Sequence, residues 1–97
     1  DALFGKRSHV IFVDRDALKF PLKLRQWEEG DVFYPSGMKG KKKLSKYFKD
    51  EKLSLVDKEN VWLLTSDDKI VWVIGRRGDE RFIATDKTKH IIKISIE

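Results

Sequence analysis

The stretch VWLLTSDDKIVWVI, residues 61–74, decides how this chain folds. Two apolar runs, 61–65 and 69–74, flank Ser66-Asp67-Asp68, and a short polar link between runs rich in β-branched and aromatic residues predicts a β-hairpin. The second run, Ile70-Val71-Trp72-Val73-Ile74, has no polar alternation, so both its faces must be covered and it is predicted as a central strand. The same runs place Trp62 and Trp72 in the core. Covering both sides of this hairpin requires further elements on each face, which the flanking sequence supplies.

Working outward, residues 8–13 read as a strand. Residues 18–27 place Leu18, Phe20, Leu22 and Leu24 at the two-residue period of a half-buried strand, with Pro21 forcing an edge position or a break. Glu28-Glu29-Gly30-Asp31 and Pro35-Ser36-Gly37 are turns. One helix follows: Leu44, Tyr47 and Phe48 share a packing face, and Lys42, Lys46 and Lys49 share another. Beyond Lys52 the pattern is β again. The charged turn Gly75-Arg76-Arg77-Gly78-Asp79 leads to a strand at 81–85, and residues 90–96 form a last strand with Ile92, Ile94 and Ile96 on one face. The expected fold is α+β: a mainly antiparallel, sandwich-like domain of about six strands and one short helix.

A chain of 97 residues, 40% hydrophobic with Trp27, Trp62 and Trp72 among its aromatics, supports one core. Residues 1–97 therefore read as a single domain, with 1–7 as linker. The start at Asp1 reads as a segment of something longer. Without cysteine there is no disulfide framework and no thiolate metal site. No apolar run approaches the ~20 residues of a membrane helix, so no membrane partner is expected and the cytoplasm is the expected compartment.

The net charge of +5 is localised. Residues 36–52 hold seven lysines against Asp50 and Glu51, which accounts for all of it; the rest of the chain is balanced. A concentrated basic patch is the footprint of a polyanion binder. Within PSGMKGKKKLSKYF, residues 35–48, Gly37 and Gly40 shape a turn, and Lys39, Lys41, Lys42, Lys43 and Lys46 crowd onto it, a pattern suited to phosphates. The plainer reading of any lysine run is a solvated face; the glycine turn and the confinement of the charge weigh against it. Arg76 and Arg77, between Gly75 and Gly78, are a second candidate, with pairing to Asp79 or Glu80 as the structural alternative. Arg25 is a third, with Glu28 or Asp31 as alternative partners. Trp27 is left open as a surface on which a base could stack.

Gly37 and Gly40 are separated by two residues and Lys43 precedes Leu44, so this is no nucleotide-binding P-loop. His9 and His90 show no metal-ligand spacing, the serines lie in no nucleophile-elbow pattern, and the carboxylates are scattered through turns. Neither a catalytic set nor a cofactor or metal site emerges.

Three segments in order, Leu24-Arg25-Gln26-Trp27-Glu28-Glu29-Gly30-Asp31, PSGMKGKKKLSKYF, and KIVWVIGRRGDERF at 69–82, with Thr85 and Thr88 beyond them, resemble the C-terminal domain of bacterial tRNA(Ile)-lysidine synthetases. The matching positions are Arg25, Gly30, Asp31, Gly37, Gly40, Lys42, Lys43, Leu44, Phe48, Trp72, Gly75, Arg77 and Phe82. The resemblance implies a fold similar to a β-rich domain of the phenylalanyl-tRNA synthetase β subunit. It implies a parent enzyme that uses ATP to adenylate the wobble cytidine of tRNA(Ile) with a CAU anticodon, lysine then displacing AMP. The ATP-pyrophosphatase signature SGGxDS is absent here, so the resemblance assigns chemistry, ATP and L-lysine to an N-terminal catalytic domain, which becomes a partner together with the tRNA. A homodimeric parent is compatible with it. The role implied for this chain is non-catalytic: holding the acceptor-stem side of the tRNA through Lys39, Lys41, Lys42, Lys43, Lys46, Arg76, Arg77 and Arg25. Where the family usually has a proline and then a basic residue, this chain reads LSLVDKEN at 53–60, so the resemblance assigns no RNA contact to that segment and leaves open whether it touches RNA. The rival expectation is a docking module whose basic face meets an acidic protein surface.

Overall fold

The computed structural model describes residues 9–96. Its strands are β1 (Val10–Asp14), β2 (Lys23–Gln26), β3 (Val32–Phe33), β4 (Lys42–Lys43), β5 (Trp62–Ser66), β6 (Lys69–Val73) and β7 (Ile91–Ser95). The helices are α1 (Leu44–Asp50) and α2 (Leu55–Glu59), and a 3-10 turn (Arg15–Ala17) follows β1. All strand pairs are antiparallel: β2-β5-β6 form a three-stranded sheet, and β1-β7 and β3-β4 form two-stranded ones. This is the mainly antiparallel α+β arrangement expected.

The β5-β6 hairpin is present, with Asp67 and Asp68 both at positive φ, as a two-residue turn matching strand twist requires. The sheet containing it carries a hydrophobic cluster on each face. On one side, Leu63, Ile70 and Val73 pack with Phe33 and with Leu44, Tyr47 and Phe48 of α1. On the other, Leu64, Val71 and Trp72 pack with Ile11 and Val13 of β1, with Phe82, and with Ile92, Ile94 and Ile96 at the end of the chain. The demand read from residues 70–74 for two covers is met by a helix on one face and a strand pair on the other.

Several details differ from the sequence reading. β5, not β6, is central in the hydrogen-bonding order. β6 is nonetheless closed along its outer edge, because the Asp79 N–H donates to the Val71 carbonyl at 2.8 Å and the Val73 N–H to the Arg77 carbonyl at 2.9 Å. Residues 18–27 are a strand only from Lys23 to Gln26. Upstream, the Lys19 N–H donates to the Ser66 hydroxyl and that hydroxyl donates to the Lys19 carbonyl, which takes this backbone out of any ladder. Leu18 is buried while Phe20 and Leu24 are exposed.

Residues 81–85 form a turn rather than a strand, since the Asp79 carbonyl accepts from both the Phe82 and Ile83 N–H groups. Only an isolated bridge, Val13 to Ile83, remains there. Trp72 is in the core as expected, but Trp62 is 47% exposed. It lies opposite Gln26 at the end of the β2-β5 ladder, on the face it shares with exposed Leu24. The helix α2 was not anticipated. It is fixed locally by a capping box in which the Ser54 hydroxyl accepts from the Asp57 N–H and the Asp57 carboxylate from the Ser54 N–H. The linker reading of residues 1–7 lies outside the described residues.

Candidate nucleic-acid interface

The segment 34–36 is fastened to 78–80 by backbone bonds: Ser36 N–H to the Gly78 carbonyl at 2.9 Å and Glu80 N–H to the Tyr34 carbonyl at 2.7 Å. Asp79 clamps the crossing. Its carboxylate is fully buried and accepts four hydrogen bonds: one from the Tyr34 N–H, one from the Arg81 N–H and two from the Arg81 guanidinium, at 2.8 to 3.0 Å. Arg81 also lies over the Tyr34 ring, 4.3 Å from its centroid. Asp79 therefore pairs with Arg81, not with Arg76 or Arg77. A buried carboxylate persists only when its lone pairs are filled, and these are.

From this clamp the chain enters the glycine turn. Gly37 and Gly40 have φ of +78° and +80°, values that side chains with a Cβ rarely adopt. The Arg77 guanidinium reaches the turn from beneath, its Nη1 donating to the Ser36 carbonyl at 2.8 Å. A Cβ on Gly37 would sit 3.6 Å from that nitrogen. Arg77 also reaches Tyr47 of α1: burial pushes the Tyr47 hydroxyl's pKa up, with Glu51 adding to it, while Arg77 and more weakly Arg76 act against the rise. The structure thus brings Arg77 and Gly37 together, as sequence alone could not show. Tyr47 joins them, although its spacing had marked it only as core.

The lysines divide into two groups. Lys42 in β4 and Lys46 in α1 converge on Asp50, Lys46 at 3.2 Å, and hold the Asp50 carboxyl below the usual carboxylate range, Lys42 having the larger effect. Lys42 is also the less exposed of the two, with 20% of its side chain in solvent. Lys42, Lys46 and Lys49 therefore do not make one helical face, because Lys42 precedes the helix. Strand alternation turns Lys41 and Lys43 away from Lys42. Lys39, Lys41 and Lys43 are exposed and make no ion pair with a described carboxylate. They form a free basic edge between the glycine turn and the helix.

Arg25 stands apart from this edge. Its guanidinium makes two 2.9 Å bonds to Asp31, and the Asp31 carbonyl accepts the N–H of Leu44, the first residue of α1. Arg25 therefore positions the helix rather than presenting a free charge. Trp27 is equally committed, its ring edge-on to Phe48 at 4.9 Å and its indole N–H bonded to the Lys58 carbonyl. Arg76 leaves the turn on another side and lines a cleft with His9 and Asn60. Among the described residues no group of three or more His, Cys, Asp or Glu could hold a metal, and no helix is long and apolar enough to cross a membrane.

The family model described as the TilS substrate C-terminal domain matches residues 22–96. The chain belongs to this family. Among relatives of this TilS C-terminal domain, the tRNA(Ile)-lysidine synthase of Parabacteroides distasonis is 51% identical over 90 residues, covering 93% of the chain and 20% of that protein. That of Bacteroides thetaiotaomicron is 44% identical over 92 residues, covering 95% and 22%. The chain thus spans about a fifth of the length of these relatives. A solved structure titled as that of the TilS C-terminal domain superposes with a TM-score of 0.74 at 21% identity, covering 96% of this chain and 75% of the other, a likeness of fold.

Proposed function

We propose that this TilS C-terminal domain docks tRNA for a tRNA(Ile)-lysidine synthase whose chemistry resides outside the chain. In this reading the parent enzyme adenylates the wobble cytidine of tRNA(Ile) with ATP and lysine displaces AMP, while the domain holds the acceptor-stem side. The observation that carries it is the free edge of Lys39, Lys41 and Lys43 beside a glycine turn, in a chain whose whole net charge of +5 lies in residues 36–52. Arg77 supports the turn and Lys42 and Lys46 add charge behind it. An A-form stem hides its sequence in a deep major groove, so such an edge reads phosphate spacing and shape.

The direct test is fluorescence anisotropy of labelled tRNA(Ile) against the domain and against Lys41→Glu/Lys43→Glu. Both side chains are exposed and unpaired, so the variant should fold as the wild type while affinity drops by roughly a hundredfold, given the steep dependence on phosphate contacts. Unchanged affinity removes the reading. A second reading, docking onto the remainder of the parent enzyme, is favoured by exposed Leu24 and Trp62 at the part of the sheet face that β1 and β7 leave uncovered. It predicts co-elution with the separated catalytic part in the absence of tRNA.

A further inference from the structure

The two arginines of the 75–78 turn part company. The Arg76 N–H donates to the Val73 carbonyl and the Val73 N–H to the Arg77 carbonyl, closing a tight loop around Gly75, whose φ is +80°. Arg77 leaves toward Ser36 and the glycine turn. Arg76, its neighbour about 3.8 Å away along the chain, lines a cleft of about 210 Å³ on another side. The cleft lining combines apolar Val61, Ile74 and Ile96 with polar His9, Asn60 and Arg76. Asn60 uses its amide N–H₂ on the Val56 carbonyl at 2.9 Å, which leaves its side-chain oxygen as an acceptor. Asp57, whose carboxylate caps the Ser54 N–H, also lines the cleft.

We propose that this cleft receives one unpaired nucleotide of the RNA held on the lysine edge, an inference that rests on the tRNA-docking reading above. The volume suits a single base and not a base pair within a helix. Val61, Ile74 and Ile96 provide apolar contact for a ring. The Asn60 side-chain oxygen matches a base with an exocyclic amine, adenine or cytosine, and Arg76 supplies a cation for the adjoining phosphate. Unpaired RNA ends are read in this way, by ring contact together with hydrogen bonds to a base edge. The 75–78 turn lies between the two sites, with Arg77 bonded beneath the glycine turn and Arg76 in the cleft, so the overhang crosses this turn to reach the cleft. The unpaired 3′ end that adjoins an acceptor stem carries bases of the required kind.

The test compares two labelled RNA hairpins with the same stem, one blunt and one with a single-stranded 3′ CCA overhang, by anisotropy at fixed salt. The wild-type chain should bind the overhang hairpin about tenfold more tightly, the size of one base contact. Ile96→Trp, which fills the cleft, should remove that advantage and leave the blunt hairpin's affinity unchanged. Asn60→Ala, which deletes the acceptor, should do the same if the tryptophan variant does not fold. Equal wild-type affinities for the two hairpins would overturn the cleft proposal while sparing the lysine edge. Failure to bind either hairpin would overturn the docking reading and this inference with it.

Discussion

Arg25 and Asp31 form a two-pronged ion pair, each guanidinium Nη 2.9 Å from a carboxylate oxygen, across the turn that leads toward the basic edge. Burial acts to raise the Asp31 pKa, but the Arg25 hydrogen bonds and the Glu28 backbone N–H outweigh it and hold the carboxyl below its ordinary value. A carboxyl depressed in the folded state stabilises the fold above its unfolded pKa of about 3.9, and that stabilisation is lost as pH falls through the folded value. Arg25→Gln should cost about 1–2 kcal/mol at pH 7, discounted for the partial exposure of the arginine. It should also flatten the loss of stability below about pH 4. Urea melts of both proteins at pH 6, 4 and 3 read both effects; parallel acid limbs would show that the pair contributes nothing.

Asp50 offsets the charge of two cations that stand behind the free edge. Asp50→Asn releases Lys42 and Lys46 and deletes a negative charge from the last turn of α1, where the helix dipole disfavours it. Affinity for tRNA should rise several-fold, with a steeper dependence on salt, at about −0.9 in log–log slope per added phosphate contact by analogy with duplex DNA. An affinity equal to or below wild type would place those lysines away from the RNA.

Asp79 is a different case, because the groups it serves cannot all reach water. Asp79→Ala strands the Tyr34 and Arg81 N–H groups and removes the clamp between β6 and the glycine turn. The expected loss is about 3 kcal/mol. That is a large share of the stability of a domain this size, so thermal melting followed by circular dichroism should show it. A shift of only a degree or two would mean that solvent replaces the carboxylate.

Gly78 is tight for a steric reason. A Cβ there would lie 2.5 Å from Ile11 Cδ1 and 2.7 Å from Ile83 Cδ1. Gly78→Ala should destabilise by about 1–2 kcal/mol through overpacking, and Ile83→Val, which lacks the Cδ1, should recover part of that loss in the double variant. Additive losses would indicate that the clash is relieved elsewhere.

Much of this was legible where the signal is local. The 61–74 hairpin, the packing face of α1 and the isoleucines of β7 follow from periodicity within a few residues. The basic segment 36–52 follows from counting charges; which of its lysines stand free does not. What escaped depends on partners distant in sequence. Trp62 looks like core in its own run, and its exposure is set by where β1 and β7 stop covering the sheet. The backbone at Lys19 is diverted by Ser66, 47 positions away. Whether Lys42 is free or paired turned on Asp50, which lies on the next element. The Ser54-x-x-Asp57 cap of α2 is a local signal, set among residues whose pattern otherwise reads as β.

The strip of backbone at 77–80 is sewn on both margins, to β6 on one side and to residues 34–36 on the other. A load applied at the lysines therefore reaches the central sheet through several backbone bonds at once.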